Sequence, residues 1–175
     1  SKQEKSLKKK INKKKRKKEK IFVFYDNGNF CEYKAKIRMH GDGLDHIKLI
    51  NGTPTSSLNV RLENGNIKNI TRFILFLPNS RNYDNEIFTT TFFKHLNFLS
   101  PRTFKINAKV HNNNVNYIFQ ESLKKEFLEF NNRIEGPILE SKEDMDKSNL
   151  EMSRVSNIEW IKDNKNKYQI SLNSI

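Results

Sequence analysis

Residues 30–39, FCEYKAKIRM, place Tyr33, Ala35, Ile37 and Met39 at every second position between polar side chains. That period of two belongs to a β-strand with one buried face and is incompatible with a helix. The β-rich run Ile21 to Tyr25 precedes it, joined by Asp26-Asn27-Gly28-Asn29. Residues of this kind supply turns, so the two runs predict a hairpin. A second polar-faced strand sets Leu58, Val60 and Leu62 against Asn59, Arg61 and Glu63; the turn Glu63-Asn64-Gly65-Asn66 then leads into Thr71 to Leu77, almost wholly apolar and so predicted to be central. Thr103 to Val110 alternates Phe104, Ile106, Ala108 and Val110, and Asn112-Asn113-Asn114 turns it into Val115 to Gln120.

Between these strands, His40-Gly41-Asp42-Gly43 opens a loop that is expected to run on through Asp45, His46 and a Gly52-Thr53-Pro54 turn. Tyr83 to Leu96 is expected to be a helix with Ile87, Thr91 or Phe92, and His95 or Leu96 inward, closing at Asn97 before Ser100-Pro101. Leu123, Phe127 and Phe130 mark a short amphipathic helix over Ser122 to Asn131. The fold class is therefore α+β: an antiparallel sheet of hairpins with one or two packed helices, in the order β-β-β-β-α-β-β-α.

Charge divides the chain differently. Residues 1–20 hold twelve bases and two acids, which supplies most of the formal net charge of +13. Like charges at that density oppose compaction, so residues 1–20 are expected to be a disordered Lys-rich arm. Residues 21–135 are expected to form the domain, and the acidic, polar 136–175 a tail or the start of a following lobe, in which Trp160 needs partners its own segment does not offer. The arm could neutralise phosphates of a nucleic acid, lie on an anionic lipid surface through residues 2–20, or act only as a solubilising extension. It has no aromatic residue before Phe22, so base stacking is not expected from it.

One cysteine, Cys31, excludes an internal disulfide framework and any CxxC metal cluster, and beside Phe30 it reads as a small core residue. No apolar run approaches the roughly 18 residues of a membrane helix, and no secretory signal follows the N-terminal charges. The chain starts at Ser1 rather than Met, which suggests a processed chain or an excised piece. His40, Asp42, Asp45 and His46 form HGDGLDH around two glycines. A polar turn with glycine at positive φ is its ordinary reading; contact with a phosphate or a divalent ion is the sharper one, although the spacing matches no established metal motif. His95 and His111 read as surface or capping residues.

Several of these pieces together resemble the spore coat protein H (CotH) kinase-like family. They are Ile37-Arg38-Met39-His40-Gly41-Asp42-Gly43, a strand ending in a glycine-containing loop; Ser56-Ser57-Leu58-Asn59-Val60-Arg61-Leu62, a Ser-led strand; Arg81-Asn82 entering a helix; and Leu99-Ser100-Pro101-Arg102 leading to a hairpin that ends Tyr117-Ile118-Phe119-Gln120-Glu121. The resemblance covers roughly residues 33–131. It implies the nucleotide-cradling N-terminal lobe of an atypical kinase, with ATP and Mg²⁺ as cofactors and a protein hydroxyl as substrate. It further implies Arg38, Gly41, Gly43, Arg61, Arg72, Glu86 and Glu121 as nucleotide-site residues: Arg61 or Arg72 as the phosphate cation, Glu86 as its carboxylate on the helix, and Glu121 at the start of the hinge. Ser56 stands where family members usually carry Lys, and residues 132–175 hold no catalytic-loop Asp with a following Asn and metal-binding Asp. Catalysis would therefore need a further half beyond Ile175. The alternative class is a non-catalytic binding module whose basic arm contacts nucleic acid or an anionic membrane surface.

Overall fold

The computed structural model describes residues 15–41, 44–141, 153–155, 157 and 160. The chain divides into two compact units, Ser1–Ser122 and Leu123–Ile175. In the first unit six strands form one antiparallel sheet: β1 (Lys17–Phe24), β2 (Phe30–Met39), β5 (Leu58–Leu62), β6 (Arg72–Phe76), β7 (Thr103–Val110) and β8 (Asn113–Glu121). Their spatial order is β1-β2-β5-β6-β8-β7. A separate hairpin joins β3 (Ile47–Ile50) to β4 (Thr53–Ser56), and helix α1 (Asn85–His95) connects β6 to β7. The mixed α+β class and the near-central place of β6 agree with the sequence reading.

Three elements depart from it. β1 begins at Lys17, inside the segment expected to be a disordered arm; its paired positions reach back to Lys17 opposite Ile37, because Ile21 and Val23 pin the register. The β3–β4 hairpin replaces the expected loop. Asn51 (φ 49°) and Gly52 (φ 74°) are both left-handed, as a two-residue type I′ turn requires, and Pro54 is tolerated because a two-stranded ribbon offers it an edge position. The β7–β8 turn likewise falls on His111 (φ 46°) and Asn112 (φ 65°), so Asn113 already belongs to β8.

One face of the sheet makes the core. Tyr33, Ala35, Val60, Leu62, Phe73, Leu75, Val115, Tyr117 and Phe119 are buried there, joined by Ile70 and Leu77. The sheet coils enough for Ile21 and Val23 of one edge strand and Ile106, Ala108 and Val110 of the other to pack against the same cluster. Phe119 stacks between Phe73 and Phe104, with ring centroids 4.6 Å from each.

Helix α1 is rotated from the expected stripe. Its buried residue is Thr90, whose hydroxyl donates to the carbonyl of Glu86 at 2.9 Å and whose own carbonyl accepts from the Ser100 hydroxyl at 2.8 Å. Thr91 and His95 are exposed, as are Phe88, Phe92, Phe93 and Leu96. The β-branched threonines and bulky aromatics share this helix so evenly that no single apolar stripe decides its orientation; Asn97 (φ 62°) ends it as expected.

The second unit holds α2 (Lys125–Phe130), where Phe127 and Leu128 are buried and Phe130 is exposed. It also holds the pair β9 (Leu139–Ser141) and β10 (Ser153–Val155). Asn157 ties it locally, donating from its side chain to Gly136 O and accepting from Ile138 N, both at 2.8 Å. Trp160 is buried; the rest of the expected helical turn at 158–161 lies outside the described residues.

Candidate anion-binding face

The face opposite the core is built by the same register. Lys18 of β1 stands opposite Lys36 of β2, Lys36 opposite Arg61 of β5, and Arg61 opposite Arg72 of β6. Four bases from four strands thus form one continuous cross-strand row, about 14 Å long at the usual spacing between strands. Like charges placed directly opposite one another destabilise a sheet. Nothing in the core face requires this row.

Neighbouring positions repeat the sign. Lys20 stands opposite Lys34, and Arg38 opposite Asn59, on the same side of their strands. Arg16 joins them, donating from its guanidinium to Asn59 Oδ1 at 3.0 Å and to the Lys36 carbonyl at 3.3 Å. Partial burial first, then repulsion from Arg38, Arg61 and Arg72, pulls the Arg16 guanidinium below its ordinary range. The repulsion places these four arginines within one electrostatic neighbourhood. The strands carry seven bases on this face and Arg16 adds an eighth, against two acids, Glu32 on β2 and Glu63 just after β5. Glu32 pairs with Lys20 at 2.8 Å, and Glu63 pairs with Lys36, which holds its carboxyl below the usual range.

The expected nucleotide-site residues distribute unevenly. Arg38, Arg61 and Arg72 come together on this basic face. Glu86 stands over the β8 side of the same face, where Gln120 donates to it at 2.5 Å. Gln120 is opposite Ile74 of β6, so the helix carboxylate is one strand removed from the arginine row. Gly41 (φ 85°) follows β2 and lies against the His46 ring so closely that any side chain there would displace it. Asp42 and Gly43 lie outside the described residues.

Glu121 belongs to the other face. It is 3% exposed and takes a two-pronged ion pair from Arg102, with Nε to Oε2 at 2.8 Å and Nη2 to Oε1 at 2.7 Å. Arg102 also donates to Lys68 O. A buried carboxylate that receives both arms of a guanidinium is a structural lock. Glu121 is also the last residue of β8, the position at which the resemblance places the start of a hinge.

Beside the basic face, His40, His46 and Arg81 gather on buried Phe76: the His40 ring is edge-on at 5.1 Å and the Arg81 guanidinium sits 4.1 Å over the ring. His46 Nδ1 shares a hydrogen bond with Ser57 Oγ at 3.2 Å, and Ser57 Oγ accepts from Leu77 N at 3.0 Å. These contacts tie the glycine loop to β5 and β6 and give both histidines a packing role. Among the described residues no group of three metal-ligating side chains converges. An open groove of about 840 Å³ runs between the β3–β4 hairpin and β7–β8, and among the described residues none of those expected at a nucleotide site lines it. Cys31, expected in the core, is exposed.

Among the described residues no helix is long and apolar enough to cross a membrane. Comparison with protein-family models, with curated proteins and with solved structures found no match for the chain. Function therefore rests on the side chains themselves.

The sequence reading missed the basic face because it assigned the charge to an arm. Lys18, Lys36, Arg61 and Arg72 are far apart in the chain, and only pairing aligns them. The available signal was parity on β2 and β5, where Lys36 and Arg61 lie on the polar phase; Arg72 shares its phase with Ile74 and Phe76, and Lys18 with Phe22 and Phe24, so β6 and β1 carry no such mark.

Proposed function

We propose that the chain is a non-catalytic binding module whose folded sheet face, rather than its N-terminal arm alone, takes a polyanionic ligand. The observation that carries this reading is the row Lys18–Lys36–Arg61–Arg72, a repulsive arrangement that a line of phosphates or sulfates would neutralise. Retention of the full chain on immobilised heparin tests it. The triple variant Arg38→Ser, Arg61→Ser, Arg72→Ser is expected to elute at much lower salt, whereas a chain lacking residues 1–14 keeps most of its retention. The reverse pattern would put the binding in the arm and overturn the assignment to the sheet.

A second reading is the nucleotide lobe of a CotH-like atypical kinase, with ATP as ligand and a protein hydroxyl as substrate. It is favoured by one observation: the helix between β6 and β7, with β8 inserted beside β6, brings Glu86 to the same face as Arg72. The arginines suit phosphate groups. On this reading the acids that hold Mg²⁺ belong to the catalytic half expected beyond Ile175, and among the described residues no group of three metal-ligating side chains converges, so no phosphoryl-transfer step is derived from these residues. Titration with ATP, with and without Mg²⁺, separates the readings: saturable binding that Mg²⁺ tightens and Arg61→Ala or Arg72→Ala abolishes would favour the lobe.

A further inference from the structure

The basic face continues into an aromatic one. Phe22 and Phe24 of β1 and Phe30 of β2 occupy the same phase of their strands as Lys18, Lys20, Lys34 and Lys36, with Phe24 directly opposite Phe30. They are 51%, 75% and 59% exposed. Phe30 contacts both others, with ring centroids 6.3 Å from Phe22 and 5.6 Å from Phe24. Three large apolar rings held together in water are costly, and the core on the opposite face makes no use of them. Successive side chains on one face of a strand are about 7 Å apart, so Phe22 begins one step beyond Lys20; opposite it stands Glu32, whose carboxylate Lys20 pairs at 2.8 Å.

We infer that this composite surface binds a single-stranded nucleic acid, its backbone running along the bases and its unpaired bases stacking on Phe22, Phe24 and Phe30. The inference rests on the polyanion reading and specifies the ligand within it. A positive track beside exposed rings is what sequence-tolerant single-strand binding needs, because every base has a π-face and every nucleotide a phosphate. A duplex keeps its base faces stacked internally and would leave the rings uncovered. An anionic lipid surface would also accept bases and phenylalanines. Here the hairpin end beyond the rings is Asp26-Asn27-Gly28-Asn29, which would have to lead into the headgroups with an acid. The rings lie on the sheet face, with Phe24 and Phe30 forming the last pair before that acid-bearing turn. Charge and ring placement together therefore favour the single strand.

The test uses the full chain with short fluorescently labelled oligouridylate and oligothymidylate, read by anisotropy. Both are expected to bind, with log affinity falling against log salt at a slope of about −3 if each base of the row meets one phosphate. Phe24→Ala and Phe30→Ala should each weaken binding roughly tenfold while leaving heparin retention and thermal unfolding unchanged. Phe24→Leu combined with Phe30→Leu should weaken it similarly, since apolar surface is kept and the stacking faces are lost. A difference between the two oligomers would identify RNA or DNA as the preferred source. Three results overturn the inference: oligomer affinity unchanged in the phenylalanine variants, a duplex bound as tightly as its single strand, or phosphatidylserine vesicles captured while the oligomers are not. If heparin is retained through the arginines but no oligomer binds, the inference fails and the polyanion reading stands. If retention ignores the arginines, that reading fails by itself.

Discussion

The two faces of the six-stranded sheet are made from the same strands and obey opposite rules. On the core face, Phe73, Phe119 and Phe104 stack within van der Waals reach, and Glu121, the one buried carboxylate among the described residues, is matched by both arms of Arg102. On the other, Arg61 stands between Lys36 and Arg72, and three phenylalanine rings face water. Folding explains the first arrangement completely: apolar area is buried and the buried charge is paired. The second works against folding by both like-charge repulsion and exposed apolar surface. Features that lower stability without a local reason are where function is to be sought.

Truncating the core should separate the faces most sharply. Phe119→Ala removes the middle ring of the stack and is expected to cost about 3–5 kcal/mol, read by denaturant unfolding. Arg102→Ala comes next, with an expected loss of about 3 kcal/mol because Glu121 is left buried and unpaired. The double variant Arg102→Met, Glu121→Leu should recover most of that loss. A double variant as unstable as the single would show that the ion pair is needed for more than satisfying its own charges.

Alkaline titration probes the core face more gently. Burial pushes the Tyr117 phenol up to about 12, and its hydroxyl donates to Ser56 O at 3.0 Å. Tyr33 is raised too, chiefly through its hydrogen bond with Tyr25. A folded value above the unfolded one means the stabilisation is whole below about pH 10 and is lost as pH rises toward 12. Melting temperature should therefore fall steeply across that window, and Tyr117→Phe should flatten the fall. The smallest stability effect is expected on the basic face: Arg61→Ala should change stability by less than about 0.5 kcal/mol, in the stabilising direction, while weakening heparin retention. A clear destabilisation would mean that the row is structural and would erase the contrast between the faces.

Much of the fold was legible in local pattern. The alternation at residues 30–39, 58–62 and 103–110 gave strands with the right face inward, because a period of two survives any tertiary context that buries one side. The β3–β4 hairpin was legible as well. Asn51-Gly52 is the strongest short turn signal there is, and it places the turn one residue before the expected Gly52-Thr53-Pro54, with Thr53 and Pro54 already in β4. Helix α1 was legible in extent but not in rotation, because its aromatic residues do not follow one face.

The sequence by itself determined that residues 30–39, 58–62 and 103–110 are strands, which side of each is apolar, and that Lys34, Lys36, Arg61, Lys105 and Lys109 fall on the other side. Those properties follow from residue type and spacing along the chain. Only the tertiary structure decided that Lys18, Lys36, Arg61 and Arg72 share a row, that Phe22, Phe24 and Phe30 gather along β1 and β2 beside its one end, and that Arg102 reaches Glu121. These depend on strand order and register, which are set by many weak apolar contacts acting together in the core. A long-range pair leaves no mark on either residue's own neighbourhood in the chain.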